Sequence, residues 1–254
     1  MNYSHNEIMV LSAARRIKNN DIVFCGTGIS MLAAVAAKHI YAPGCVLFFE
    51  TGAIDSRLES LPLAVSDSRV MYRAQAFCTL AESFSFLQNK KTGANVVGII
   101  GAAQIDPHGN LNSTLIGDYT NTIARFPGSG GAADAASFVN TNIIFMTLEK
   151  RKFVETLPYI TSPGWLNGFD SRKKEGLNAS GPSCVITDMG IMEFEKESKK
   201  MFLKEFYPGV HPETVKENIS FEIDISHATQ TAGPKPEELK ILREKTDPEN
   251  LILR

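Results

Sequence analysis

Two stretches decide the predicted fold: IVFCGTG at residues 22–28 and CVLFFETG at residues 45–52. Each is a short apolar run that leads into a glycine-containing turn, as buried parallel strands do. An alanine-rich segment from Ser30 to Ile40 separates them and is predicted to form a helix. This order of strand, helix and strand predicts two parallel strands joined by a right-handed crossover.

Glu50 closes the second apolar run and is the first candidate for chemistry. A parallel strand ends at the carboxyl edge of its sheet, where open α/β folds bind their ligands. Gly52 follows, and a glycine lets another part of the chain approach closely. The carboxylate is therefore placed to act as a nucleophile or a base. The alternative is that Glu50 only caps its strand and pairs with an arginine, since structural ion pairs also use such carboxylates.

The rest of the chain predicts more elements of the same kind. Further buried strands are expected at Val96–Ile100 and Ile143–Met146, antiparallel strands at Cys184–Thr187, Ile191–Phe194 and Met201–Phe206, and helices at Asn6–Lys18, Pro212–Asn218 and Pro236–Lys245, the last on the outside. We therefore predict one α/β domain over residues 1–254. It has an open, mostly parallel sheet flanked by helices, with an appended antiparallel region near the C-terminus.

Composition narrows the classes of function. The 254 residues are 43% hydrophobic with a net charge of -2, which provides a large core but no basic stripe for nucleic acid. The sequence shows neither an apolar run of membrane-spanning length nor a signal peptide, so we expect a cytoplasmic protein that binds no membrane. The four cysteines and five histidines lack metal-ligand spacing. No metal site is expected, and the cysteines are predicted to be buried free thiols.

Two glycine-rich turns are candidates for ligand binding. GTG at residues 26–28 opens a helix, whose first amides could bind an anion; Met31 replaces the third glycine of a dinucleotide fingerprint, so a plain turn is equally consistent. GSGGA at residues 128–132 could aim backbone amides into an oxyanion hole, or could be a flexible connection. The amides and hydroxyls of GNLNST at residues 109–114 are expected to bond mainly to their own backbone.

In order along the chain, these segments resemble the β subunits of family I CoA-transferases of the glutaconate type. The matching motifs are GTG at 26–28, YAP at 41–43, ETG at 50–52, GAAQIDPHGNLNST at 101–114, IGDY at 116–119, GSGGA at 128–132, EKRKF at 149–153 and TSPGW at 161–165. They cover nearly the whole chain, and so many motifs in order make chance improbable. The segment from Val65 to Leu87 matches the members of the glutaconate type poorly.

The resemblance implies that Glu50 is the catalytic nucleophile, which carries CoA as a glutamyl thioester. It implies an oxyanion and CoA-binding site formed by the backbone of Gly26, Gly28, Gly128, Gly130, Gly131 and Ala132. It also implies an α subunit of related fold as partner, in an αβ heterodimer and a larger assembly. Acyl-CoA and a carboxylic acid are then substrates, a dicarboxylate such as glutaconate being expected. No tightly bound cofactor is implied.

Other activities on this fold remain open. Family members that have replaced the glutamate open rings or decarboxylate acyl-CoA, so the presence of Glu50 favours CoA transfer. A hydrolase that admits water to the thioester is an alternative within the family, although such a site is built to exclude water. A non-catalytic binding subunit, with Glu50 held by Arg69 or Arg73, is the alternative from a different class.

Overall fold

The computed structural model describes residues 3–178 and 180–253. Their contacts divide the chain into two compact units. Unit 1 consists of residues 1–99 together with 233–254, and unit 2 consists of residues 100–232. The single domain over residues 1–254 stays a prediction.

The helices and strands follow in chain order. The helices are α1 (His5–Ala14), α2 (Ile29–Ile40), α3 (Leu80–Gln88), α4 (Lys90–Gly93), α5 (Ala132–Phe138), α6 (Ser171–Lys174), α7 (Pro212–Glu217) and α8 (Pro236–Ile241). The strands are β1 (Ile22–Cys25), β2 (Val46–Phe49), β3 (Ala53–Ile54), β4 (Ala76–Phe77), β5 (Val96–Gly101), β6 (Gln104–Ile105), β7 (Leu111–Asn112), β8 (Leu115–Gly117), β9 (Thr122–Arg125), β10 (Thr141–Phe145), β11 (Pro182–Ile186), β12 (Gly190–Phe194), β13 (Met201–Phe206) and β14 (Thr229–Gln230). A 3₁₀ turn spans Ser68–Met71, and a π-helical turn spans Leu242–Thr246.

In unit 1, β1 is flanked by two parallel neighbours, β2 and β5. β3 then pairs antiparallel with β2, and β4 pairs antiparallel with β3. The predicted crossover is confirmed, because α2 connects the parallel strands β1 and β2. The small side chains of α2 suit this place: the helix is buried from Ser30 to Ala37.

Unit 2 contains the predicted antiparallel region. β10 pairs parallel with β11, and β11, β12 and β13 form an antiparallel run, to which β14 adds a parallel edge. Two small hairpins, β6 with β7 and β8 with β9, lie outside this sheet. The predicted fold class is confirmed: an open, mostly parallel sheet flanked by helices, with antiparallel strands near the C-terminus.

Membrane-spanning helices and metal clusters are both absent from the described residues. Within residues 3–178 and 180–253, none of the helices combines the length and the apolar character needed to cross a membrane. In the same residues, no group of three or more His, Cys, Asp or Glu side chains is arranged to hold a metal ion.

The C-terminal helix is less exposed than the sequence predicted. α8 ends at Ile241 and continues as the π-helical turn, while Leu239 and Leu242 are buried, with 6% and 0% of their surfaces exposed. The prediction of an outside helix was therefore wrong for one face. Charged residues on this segment form ion pairs with α1 and the residue after it: Arg243 with Glu7, and Arg15 with Glu238 at 2.6 Å.

The pair between Glu7 and Arg243 makes stability depend on pH. Burial alone would raise the pKa of Glu7, but the hydrogen bonds from Arg243 and the Ser4 N–H, with the charge of Arg243, hold this pKa below its usual value. The stabilisation is therefore fully present above the pKa of unfolded glutamate, about 4.3. It is lost as the pH falls through the lower, folded value.

We expect Glu7→Gln to lower the free energy of unfolding at pH 7 by about 1 to 3 kcal/mol, because hydrogen bonds to a charged group are lost. The deficit should shrink as the pH falls below the folded pKa of Glu7. Urea unfolding at several pH values measures it, with the exposed Glu237→Gln as control. A deficit that is constant down to about pH 2 would contradict this account.

Candidate active site

The structure brings the first glycine turn and Glu50 to one edge of the unit 1 sheet. Cys25, the last residue of β1, pairs with Phe49, the last residue of β2. Gly26 and Glu50 therefore follow neighbouring strand ends directly. Because the strands are parallel, both residues lie at the carboxyl edge, as the sequence predicted.

The turn that carries Glu50 is fixed by three contacts. The Gly52 N–H donates to the Phe49 carbonyl at 2.9 Å, and the Cys78 N–H donates to the Gly52 carbonyl at 2.9 Å. The Thr51 hydroxyl donates to the Val65 carbonyl at 3.2 Å. Gly52 has φ +100°, and a Cβ on it would lie 1.8 Å from the Cys78 carbonyl oxygen. Only glycine fits this position without moving the chain.

The Glu50 side chain is half-buried. Within residues 3–178 and 180–253, its carboxylate forms no hydrogen bond or ion pair. The two arginines that the sequence offered as partners are engaged elsewhere. Arg69 pairs with Asp67 at 2.6 Å, and the Arg73 guanidinium lies over the Tyr72 ring, 5.3 Å from its centroid. The interpretation of Glu50 as a structural ion-pair residue therefore finds no support.

The GTG turn leaves open backbone beside this edge. Gly28, with φ +65°, is the N-cap of α2 and has no side chain to cap the helix. A Cβ on Gly28 would meet no atom within 4 Å. The preceding thiol offers no competing nucleophile, because burial raises the pKa of Cys25 to about 12 and keeps it protonated.

The GSGGA loop lies in unit 2, where it leads into α5. Gly128 and Gly130 have positive φ, and the Gly128 N–H donates to the Ser113 carbonyl at 2.9 Å. Gly131 is buried and is the N-cap of α5. The Ala132 N–H already donates to the Ser129 carbonyl at 3.0 Å, so Ala132 can act as an oxyanion donor only if this bond opens or is shared. The oxyanion role of the loop stays a prediction.

The GNLNST motif is largely structural. The Asp106 carboxylate accepts from the backbone N–H and the side chain of Asn110, and Asn110 Oδ1 accepts from the N–H groups of Gly164 and Leu166. Burial raises the pKa of Asp106 in spite of these bonds. The network joins the motif to TSPGW through distant backbone, whereas Asn112 Oδ1 accepts from the nearby N–H groups of Thr114 and Leu115, as the sequence predicted.

Arg172 is a residue that the sequence reasoning missed. It is 2% exposed, and its guanidinium donates to the carbonyls of Pro163, Gly164, Asn178 and Ala136. Burial lowers its pKa to about 10. Since Ala136 belongs to α5, Arg172 fixes the helix that the GSGGA loop precedes. Its run of charged neighbours, SRKK, gave no sign that it is buried.

The sequence model of the Coenzyme A transferase family matches residues 7–218. The chain belongs to this family. It is 40% identical over 250 residues to the B subunit of glutaconate CoA-transferase from Acidaminococcus fermentans, covering 97% of this chain and 94% of that protein. It is also 39% identical to the B subunit of 3-oxoadipate CoA-transferase from Pseudomonas knackmussii, covering 95% and 92%. The chain is thus a CoA-transferase subunit of the glutaconate and 3-oxoadipate type.

Solved structures agree with this assignment. The crystal structure of glutaconate coenzyme A-transferase from Acidaminococcus fermentans matches the CoA-transferase subunit with a TM-score of 0.96 and 38% identity, covering 100% of this chain and 98% of that one. The decarboxylase AibA/AibB matches with a TM-score of 0.83 at 20% identity, covering 98% and 97%, and shows likeness of fold alone.

The contact at Gly52 gives a prediction for stability. Gly209 has a similar positive φ, +87°, but a Cβ there would meet nothing within 4 Å. Gly209→Ala should therefore cost only the backbone strain, about 1 to 2 kcal/mol. Gly52→Ala should cost clearly more, because it adds the collision with Cys78. Thermal unfolding of both variants measures the difference, and equal losses would refute the importance of the contact.

Proposed function

We propose that this CoA-transferase subunit moves CoA between an acyl-CoA and a carboxylic acid through a glutamyl-CoA thioester on Glu50. The observation that carries the proposal is the half-buried carboxylate without partners in the described residues, on a turn fixed at the end of β2. A carboxylate engaged in an ion pair could attack only after that ion pair had broken, whereas the Glu50 carboxylate is available for attack.

The proposed reaction balances without an added acid or base. A Glu50 oxygen attacks the thioester carbonyl; the C–S bond breaks, leaving a mixed anhydride and CoA thiolate. The thiolate attacks the Glu50 carbonyl; the C–O bond breaks, releasing the first acid as its carboxylate and leaving CoA on Glu50. The second carboxylate then attacks this thioester, and the same steps run in reverse. Glu50 is regenerated as a carboxylate.

Positioning is the main physical requirement, because a carboxylate is a weak nucleophile. Holding reactants in the attack geometry can supply about 7–11 kcal/mol in the best cases. Each attack also creates a tetrahedral oxyanion, for which one backbone donor is worth about 3 kcal/mol. We propose that the GSGGA loop supplies such donors, with the Gly131 amide foremost, and that Gly26 and Gly28 line the CoA path.

The names of the relatives suggest the substrates and the partner. Glutaconate and 3-oxoadipate, named for two relatives, are both dicarboxylates, so we propose a dicarboxylate as one of the exchanging acids. Both relatives are named as B subunits of their enzymes. We accordingly propose that the chain acts with an α subunit of related fold, as an αβ heterodimer within a larger assembly.

Glu50→Gln should abolish transfer and covalent labelling while the assembly with the α subunit persists. The measurement is intact and peptide mass of the co-purified complex after exposure to glutaconyl-CoA or 3-oxoadipyl-CoA. A CoA adduct on the Glu50 peptide, sensitive to hydroxylamine or borohydride, is expected for the wild type and for Glu244→Gln, an exposed control. Release of free acid and CoA without an adduct would instead indicate a hydrolase.

Gly131→Val should strongly reduce turnover by blocking the proposed oxyanion site. Gly131 has φ -75°, which any residue adopts, so the substitution does not strain the backbone directly. Steady-state kinetics on the assembled complex give the effect, with thermal unfolding to show that the fold is retained. A normal kcat in a folded variant would remove Gly131 from the proposed site.

A further inference from the structure

A segment we name the strap, residues 65–78, lies against the turn of Glu50, Thr51 and Gly52. The Thr51 hydroxyl donates to the carbonyl of Val65, at one end of the strap, at 3.2 Å. At the other end, the Cys78 N–H donates to the Gly52 carbonyl at 2.9 Å, and its thiol lies 3.5 Å from the same oxygen. Both residues that follow Glu50 are thus held by the strap.

The strap also forms hydrogen bonds with the residues that follow this turn. β4 pairs with β3, and the Gln75 N–H donates to the Ile54 carbonyl at 2.8 Å. The Ser56 hydroxyl donates to the Val70 carbonyl, and the Arg57 N–H donates to the Tyr72 carbonyl at 3.1 Å. Residues 51–57 and the strap therefore hold one another in register.

The strap has little burial of its own. Val70 is buried, whereas Met71, Tyr72 and Phe77 are 41%, 40% and 58% exposed. A segment with so few buried apolar groups is placed by its hydrogen bonds more than by a core. The loss of a bond at the Thr51 end should therefore loosen the turn as well as the strap.

This attachment holds the backbone from which the Glu50 side chain extends. Among the described residues the carboxylate has no hydrogen-bond partner. No bond of its own holds it there, so the hydrogen bonds that fix the turn act on it only through the backbone, which sets the direction of its Cα–Cβ bond. Thr51, the next residue, is the one residue of the turn whose side chain is tied to the strap, through its bond to Val65.

We propose that Thr51 is a positioning residue for CoA transfer, its hydroxyl holding the turn so that the Glu50 carboxylate faces the incoming thioester. This rests on the proposed function of Glu50. A misplacement of about 1 Å in an active site can cost about a hundredfold in rate. The hydroxyl acts on the attack step, so the affinity for acyl-CoA stays the same.

The test compares Thr51→Val, which removes the hydroxyl, with Thr51→Ser, which keeps it. The matched control is Thr246→Val, since the Thr246 hydroxyl also donates to a backbone carbonyl, that of Ile241, at 3.2 Å; its other neighbour is His39 Nδ1 at 3.1 Å, so it makes no bond to the turn or the strap. Each variant is assembled with the α subunit, and the complex is mixed with an excess of glutaconyl-CoA or 3-oxoadipyl-CoA. Rapid quench and mass spectrometry give the rate constant of Glu50 adduct formation and the half-saturating concentration. Thermal unfolding reports stability.

We expect Thr51→Val to slow adduct formation about ten- to a hundredfold at an unchanged half-saturating concentration. Thr51→Ser should react as the wild type does, and Thr246→Val should lose stability but keep its adduct rate. An unchanged rate in Thr51→Val, an equal slowing in Thr51→Ser, or an equal slowing in Thr246→Val would overturn the positioning role. In each of these cases, formation of the Glu50 adduct by the wild-type enzyme would still support the proposed function. Absence of an adduct in the wild type with either thioester would overturn both proposals.

Discussion

The close packing of Gly52 against the carbonyl of Cys78 is the contact on which the active-site edge of unit 1 depends. It decides where the chain goes after β2, because a side chain at position 52 would collide with the backbone of the neighbouring segment. With this direction fixed, Thr51 reaches Val65, β3 returns beside β2, and Glu50 stands at the end of its strand. The nucleophile is thus placed by backbone contacts on either side of it.

Buried charged side chains are hydrogen-bonded in both units; in unit 1, for example, the Glu7 carboxylate accepts from the Ser4 N–H and from Arg243. In unit 2, Asp106, Asn110 and Arg172 are satisfied by several hydrogen bonds each, as buried polar groups in stable structures usually are. In the described part of unit 1, the half-buried carboxylate of Glu50 has no such partner. A half-buried carboxylate without a protein partner gains no stability from hydrogen bonds or ion pairs, so a structural role does not explain its place. Departures of this kind are expected where a residue serves chemistry.

The sequence predicted the parts of the fold that local pattern controls. β1 matched its predicted bounds, and β2 and α2 matched within one residue, because apolar runs and an alanine-rich segment mark buried strands and a packed helix. Glu50 at the carboxyl edge followed from the same reasoning. The buried face of α8 was missed, since Leu239 and Leu242 stand among charged residues that dominate the composition there.

The sequence could not predict the strap. Its one strand, β4, is two residues long, most of its side chains are exposed, and its contacts join residues 51–57 to residues 65–78 across a loop. Hydrophobic periodicity can be recognised only in longer helices and strands. A bond from a hydroxyl to a carbonyl, such as that of Thr51, leaves no pattern in the local sequence. The same limit applies to Arg172, whose carbonyl partners lie in the loops before and after it and, 36 residues away, in α5.

The position of the strap bears on how one fold supports several reactions. The decarboxylase AibA/AibB shares this fold at 20% identity, and fold alone does not determine chemistry. A change in the parallel strands would disturb the core, because β1 and β2 are mostly buried. A change at an exposed residue of the strap would leave these parallel strands packed while shifting the turn that carries the carboxylate. The strap is therefore a place where the position of the nucleophile can be altered at a small cost to the parallel core.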